Sequence, residues 1–232
     1  MLSFLKNYAQ AYYTTRPKLF FPRFVAQNPD LAYLCVSRET EILIEGFPRC
    51  GNTFAVVAFQ KAQKSPVKIA HHLHVSAQIR LAVHWRIPAI VLIRKPLDAV
   101  SSLILRHPER EIDRCLVEYN IFYRSILPLK GNYVISDFDE TISDFGSVTA
   151  RVNDLFNTSF ACFKHTPENI EAVFKKIEYL NKQNENGSAF KLARPAREKE
   201  IPKGKVKDML LSRKFKSLLE MASQTYHRLT YG

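Results

Sequence analysis

The sequence predicts an α/β protein with three α/β/α layers around a central, mainly parallel sheet of P-loop-like type. Three observations carry this reading. The runs Ile42-Leu43-Ile44 and Ala89-Ile90-Val91-Leu92-Ile93 are continuously apolar, as strands covered on both faces require. Strand-like runs alternate with amphipathic segments, the order that builds a parallel sheet with helices on both faces. The first run enters Glu45-Gly46-Phe47-Pro48-Arg49-Cys50-Gly51-Asn52-Thr53-Phe54, which reads as a strand, a tight phosphate loop and a helix start. With 232 residues, 46% hydrophobic, and no internal repeat, residues 1–232 make one domain with a sizeable core.

In chain order, residues 1–40 are a helical or irregular extension. Its first 24 residues mix Lys6, Arg16, Lys18 and Arg23 with Tyr12, Tyr13, Phe20 and Phe21, a pattern assigned to core packing ahead of membrane-surface attraction. Strands are expected at 41–45, 67–71, 89–93 and 132–136. Helices are expected at 53–64, 76–85, 97–106 and 109–127. Asp137, after the fourth strand, suits a helix cap as well as a site. Residues 181–207 are polar, carry Gly187, Pro195, Pro202 and Gly204, and cluster basic side chains, the composition of a mobile basic loop. A terminal helix follows over 207–229.

Gly46 through Thr53 keeps the outline of a P-loop, with glycines at its first and sixth positions and threonine at its eighth. Asn52 stands where a nucleoside triphosphatase needs the lysine that reaches the β and γ phosphates. What remains still suits an anion: Gly51 lets the backbone approach, helix-start amides point outward, and Arg49 offers a forked, permanent cation. Such a cradle fits a 5′-phosphate better than a triphosphate with its metal.

Pro48-Arg49-Cys50-Gly51-Asn52-Thr53-Phe54 also resembles the 5′-phosphosulfate loop of sulfotransferases: Pro, Lys or Arg, Ser, Gly, Thr, Thr, then often an aromatic. Pro48, Arg49, Gly51 and Thr53 match, whereas Cys50 replaces the serine and Asn52 the first threonine. Arg94-Lys95-Pro96-Leu97-Asp98-Ala99-Val100-Ser101-Ser102, directly after the apolar run 89–93, resembles the family's 3′-phosphate segment, with Arg94 and Ser102 at the family's separation. The resemblance covers about residues 41–138. It implies a transferase moving a sulfuryl group from 3′-phosphoadenosine 5′-phosphosulfate to a hydroxyl or amine of a small-molecule or glycan acceptor, with no metal. By the same resemblance Arg49, Cys50, Gly51, Asn52 and Thr53 hold the 5′-phosphate, Arg94 and Ser102 grip the 3′-phosphate, and Phe54 stacks on adenine. Lys203 and Lys205, in a loose version of the family's late Arg-Lys-Gly loop, are candidates to close on the 3′-phosphate.

Between the two phosphate segments lies Val67-Lys68-Ile69-Ala70-His71-His72-Leu73-His74. A hydroxyl attacking sulfur must lose its proton, and neutral imidazole is a suitable acceptor near physiological pH. Alignment with the family's Lys, Thr, His, Leu, Pro segment makes His72 the catalytic base, with Arg49 as its partner in catalysis, and puts Ala70 where the family has lysine. A metal site at His71, His72 and His74 is disfavoured, since neighbouring strand residues point to opposite faces.

The net charge of +12 attracts polyanionic cofactors or acidic acceptors, but the basic residues are scattered and no nucleic-acid-binding signature appears. No apolar run spans a bilayer and no signal-peptide core follows Met1, so a cytoplasmic location is expected. Cys35, Cys50, Cys115 and Cys162 are sparse and lack paired spacing, which fits reduced thiols. Two alternatives stay open at this stage: a P-loop kinase using a nucleoside triphosphate, and a noncatalytic protein binding a 3′,5′-bisphosphate nucleotide. The acceptor and the oligomeric state are not written in the sequence.

Overall fold

The computed structural model describes residues 2–184 and 200–232. Helices α1 (Leu2–Tyr13) and α2 (Pro17–Gln27) and a 3-10 turn (Pro29–Leu34) precede β1 (Ile42–Gly46). Then come α3 (Asn52–Ala62), β2 (Ile69–His71), α4 (Ser76–Trp85), β3 (Ala89–Ile93), α5 (Pro96–Arg106), α6 (Ile112–Ile126) and β4 (Val134–Asp137). The chain ends in α7 (Phe138–Ser143), α8 (Phe145–Phe156), α9 (Pro167–Asn184), α10 (Glu200–Leu210) and α11 (Lys216–Thr230).

The four strands form one all-parallel sheet in the order β2-β1-β3-β4. Every residue of β1 and β3 is buried, which is why β3 is continuously apolar and β1 is apolar up to Glu45, instead of alternating. One layer holds α3, α7, α8 and α9; α4, α5, α6 and α11 pack together in the other, with α1 outside α6 and α10 outside α5. This is the expected three-layer α/β/α fold with a parallel sheet.

From β1 the chain crosses to β2 on one side, then returns past β1 to β3 on the other. The carboxyl ends of β1 and β3 therefore flank a topological switch point, where the two crossovers diverge and leave a crevice. Gly46 makes their close approach possible. A Cβ there would lie 2.4 Å from the carbonyl oxygen of Leu92, a contact no side chain tolerates.

Two expectations for the C-terminal third are corrected. The basic loop over 181–207 is largely helical where it is described: residues through Asn184 belong to α9, and α10 begins at Glu200. Residues 185–199, with Lys191, Arg194, Arg197 and Lys199, lie outside the described residues. Pro202 does not stop α10 because it sits in the first turn, where a backbone N–H has no intrahelical partner to lose. The terminal helix expected over 207–229 is instead two helices, broken between Leu210 and Lys216. Asp137 is a helix cap: its Oδ1 accepts from the Asp139 amide at 3.0 Å, while Oδ2 accepts from the Tyr226 hydroxyl at 2.6 Å.

Candidate functional site

The loop from β1 to α3 is held open by backbone conformations that ordinary residues avoid. Gly51 has φ +91°, and Arg49, which has a Cβ, has φ +70°. Gly51 caps α3 without a side-chain hydrogen bond, so among the described residues the N-cap leaves the first-turn amides of α3 without a capping side chain. With the helix dipole, those amides form an anion-binding end.

Arg49 and Arg94, distant in sequence, meet at the switch point. Arg94 Nη1 donates to the carbonyl oxygen of Arg49 at 3.1 Å, and Arg49 Nε donates to Ser102 Oγ at 3.1 Å. The Arg94 guanidinium also lies over the Phe138 ring, 3.7 Å from its centroid, which fixes the plane of its fork. Two of the predicted phosphate-binding segments thus meet, joined through Arg49, Arg94 and Ser102.

Three side chains of the loop face inward. Cys50 is fully buried, its Sγ 3.4 Å from the Tyr123 hydroxyl, and burial pushes its thiol up to about 12, which removes it as a nucleophile. Asn52 Nδ2 donates to the Phe47 carbonyl at 3.1 Å, so this side chain braces the loop, and its buried Oδ1 has no partner among the described residues. Cys50 and Asn52 therefore offer an anion their backbone amides alone. Phe54 is buried and packs against Phe163, His165 and Phe174, which takes its ring away from any adenine. The expected stacking role for Phe54 is corrected: as the third residue of α3 it points into the helical layer.

Lys203 and Lys205 are also separated by the structure. On α10 they lie two residues apart, hence on different faces. Lys205 is exposed. Lys203 Nζ lies 3.6 Å from Asp98 Oδ1, and Lys207 Nζ, one turn further on, lies 2.7 Å from the same atom. Burial works against the Asp98 carboxylate, yet the two lysines hold it below its ordinary range. Through Asp98 they sit on α5, the helix that carries Ser102.

The histidines at and after the end of β2 come together, against the expectation from strand alternation. His72 has φ +60° and His74 φ +55°, which ends the pleat and turns the rings toward each other. His71 Nδ1 and His72 Nδ1 are 2.7 Å apart, and His72 Nε2 is 3.2 Å from Thr53 Oγ1. Burial, with the neighbouring His74 and His71, pulls His72 down to about 3, so it is neutral throughout the physiological range. Among the described residues no group of three or more histidine, cysteine, aspartate or glutamate side chains is disposed to hold a metal.

His74 differs from His72. Its Nδ1 lies 2.8 Å from the Gly46 carbonyl, an acceptor, so that nitrogen carries the proton and Nε2 is the basic one. Glu45, fully buried at the end of β1, stands 3.5 Å from the same ring. Burial pulls the His74 imidazole down, but the Glu45 carboxylate and the Gly46 carbonyl outweigh it, and its pKa is raised. Glu45 is in turn held below its ordinary range: burial pushes it up, while His74 and Gln78 outweigh that cost. Its oxygens accept from the amides of Gly46, Leu73 and His74 and from Gln78 Nε2, at 3.0 to 3.2 Å. Glu45 and His74 form a carboxylate–imidazole pair that the sequence reading missed. Its one signal was a lone carboxylate within a run that is otherwise apolar.

His74 lines a cavity of about 310 Å³ beside the phosphate loop, with Phe47 and Pro48 of that loop, Ala11 of α1, Thr14 just after that helix, Arg110 and Glu118. Pro48, which lines the cavity, directly precedes Arg49 in the loop. Glu118 is clamped by Arg110 and by Arg114, whose Nε lies 3.0 Å from Glu118 Oε1. The loop itself is braced from α6: Tyr123 donates to the Leu92 carbonyl at 2.7 Å and accepts from the Phe47 amide at 3.3 Å, while Tyr119 donates to the Arg94 carbonyl at 2.7 Å. Their spacing of four residues on an amphipathic segment marks them as core, and nothing in it announces hydrogen bonds to the ends of β3 and the loop.

No family model and no curated protein matches the chain.

Proposed function

We propose that the protein transfers a sulfuryl group from 3′-phosphoadenosine 5′-phosphosulfate to a hydroxyl or amine acceptor. The observation that carries this reading is the meeting of Arg49, Arg94 and Ser102 at the switch point, beside an uncapped helix start. The donor set is made of guanidinium groups, hydroxyls and amides, which suits phosphate oxygens.

The donor supplies an activated sulfuryl group through its phosphosulfate anhydride. Amides at Asn52 and Thr53 hold the 5′-phosphate, and Arg49 offsets the charge that grows on the bridging oxygen as the sulfur–oxygen bond breaks. Arg94 and Ser102 hold the 3′-phosphate. Lys203 and Lys207 add positive potential beyond Asp98. His72 is a positioning residue: accepting at Nδ1 from His71 and donating from Nε2 to Thr53 Oγ1, it leaves the threonine proton for a phosphate oxygen. His74 Nε2 takes the acceptor's proton, with Glu45 and Gly46 fixing its tautomer and stabilising the imidazolium. The neighbouring cavity is of a size for a small acceptor such as one sugar ring or a phenol.

Transfer of labelled sulfate from the donor to a panel of hydroxyl and amine acceptors tests the reading. A base of raised pKa must be neutral to act, so kcat/KM is expected to fall on the acid side with a midpoint above the ordinary histidine value of about 6.5. Glu45→Gln should move that midpoint down. His74→Ala is expected to lower kcat by roughly a hundredfold or more, whereas His72→Ala should chiefly raise the KM for the donor. An acid limb near 3, lost in His72→Ala, would return the base to His72.

A second reading has one observation in its favour. Ala70, buried in β2, stands where the resemblance has a lysine for the sulfuryl group. A noncatalytic 3′,5′-bisphosphate binder would hold the nucleotide and transfer no sulfate to any acceptor of the panel.

A further inference from the structure

The first two helices carry a surface that the site does not use. Of the eleven large exposed hydrophobic side chains among the described residues, four lie on these two helices, Tyr8, Tyr12, Leu19 and Val25, and two more, Leu31 and Tyr33, on the 3-10 turn that follows. Leu19 is 61% exposed and Tyr8 49%. Solitary exposed apolar residues are ordinary on a protein surface; a cluster on one supersecondary unit is not.

The expectation from sequence was that these aromatics pack into the core, and the structure divides them. Phe20 turns inward and stacks on Phe24, with ring centroids 5.3 Å apart. Outward on α2 lie Lys18, Leu19, Pro22, Arg23, Val25 and Ala26, all exposed. The turn between α1 and α2 joins them to α1. The Arg16 guanidinium lies over the Tyr12 ring at 4.5 Å and the Arg23 guanidinium over the Tyr13 ring at 5.8 Å. The Tyr13 hydroxyl donates to the Leu19 carbonyl at 3.2 Å. Arginines, tyrosines and an exposed leucine thus occupy one contiguous tip.

The charge is one-sided. Lys6, Arg16, Lys18 and Arg23 are the basic residues of positions 1–29, and no aspartate or glutamate occurs before Asp30. Tyrosines with apolar bodies and polar ends, arginines and lysines on flexible apolar stems, and a protruding leucine are the side chains that settle at the boundary of lipid headgroups and acyl chains. A nucleic-acid surface would need cations tracking a phosphate backbone in place of apolar groups set between them. α1 also lines the cavity beside His74, through Gln10 and Ala11, with Thr14 of the turn that follows, so one face of the hairpin looks toward the cavity while the other is exposed.

We propose that the α1–α2 hairpin docks the protein on an anionic lipid bilayer, seating Leu19 and Tyr12 at the headgroup boundary and pairing Arg16, Lys18 and Arg23 with lipid phosphates. This is peripheral attachment, and it stands whether or not the protein transfers sulfate. Among the described residues no helix is long and apolar enough to cross a membrane.

Co-sedimentation of the full chain with phosphatidylcholine vesicles, with and without phosphatidylglycerol, tests it. Binding is expected to the anionic vesicles and to weaken with salt. Because the whole chain is basic, the decisive comparison is among variants. Arg23→Glu and Leu19→Glu should each weaken partitioning by about tenfold or more, while Lys175→Glu, the same charge reversal on an exposed site of α9, should leave most of it. Equal melting temperatures for all three variants confirm that folding is intact. The proposal is overturned by equal losses in Lys175→Glu and Arg23→Glu, by tighter capture of duplex DNA through the same residues, or by a dimer that Leu19→Glu dissolves while vesicles go unbound.

Discussion

Replacing Glu45 by alanine is expected to destabilise the protein by about 3–5 kcal/mol, the cost of breaking one side of a buried ionic pair. The carboxylate is fully buried and satisfies the amides of Gly46, Leu73 and His74 together with Gln78 Nε2. Alanine leaves these donors and a protonatable His74 without their acceptor. The chain around β2 and α4 would loosen as well, because Gln78 also ties the segment before β1: its Oε1 accepts from the Val36 amide at 2.6 Å and its Nε2 donates to the Leu34 carbonyl at 3.2 Å. Thermal or urea unfolding measures the loss directly.

The pair also sets a pH window. Glu45 has a folded pKa below its unfolded value, so its stabilisation is present above about 4.3 and disappears as pH falls through the lowered folded value. His74 has a folded pKa above its unfolded value, so its contribution is complete below about 6.5 and disappears as pH rises through the raised folded value. Stability should therefore be highest between the two unfolded values and decline on both sides. Glu45→Gln should flatten both flanks, and a profile with the same curvature in that variant would contradict the pairing.

Arg49→Ala is expected to lower kcat for sulfuryl transfer by roughly a hundredfold or more, the scale of removing one preorganised donor from developing negative charge. Arg49 holds a left-handed φ of +70°, a conformation that costs an L-residue about 1–2 kcal/mol. Strain of this kind persists where function requires the position. Arg49→Gly should accordingly lose the same turnover while keeping the melting temperature, since glycine adopts that backbone freely. A variant with normal kcat and a raised donor KM would make Arg49 a binding group and leave the departing phosphate to the amides and Thr53.

The parallel sheet was legible because burial on both faces writes a continuous apolar run, and β3 and α4 fall at their expected positions, 89–93 and 76–85. Arg49, Arg94 and Ser102 were legible as a set through the resemblance of their two segments to phosphate-binding motifs, and their places after the ends of β1 and β3 bring them together. Less could be read where a side chain has two plausible directions. Phe54 and Asn52 follow a glycine whose left-handed φ sets the helix start, and that geometry turns both inward. The His71–His72–His74 cluster was misread because alternation assumes a continuing strand, and two positive φ values end it. Lys203 and Lys205 were assigned to a loop on the strength of Pro202 and Gly204, yet proline in a first turn and one glycine are compatible with helix. Lys207, one turn from Lys203, was the nearer partner of Asp98.

The central claim is a crevice that recognises both phosphates of one nucleotide, and isothermal titration with 3′-phosphoadenosine 5′-phosphate beside 5′-AMP and magnesium ATP tests it most directly. The 3′-phosphate should tighten binding by about tenfold or more over 5′-AMP, the worth of one or two hydrogen bonds to charged groups, and Arg94→Ala should erase most of that difference. Equal affinity for 5′-AMP and the bisphosphate, or tighter binding of magnesium ATP, would contradict the account.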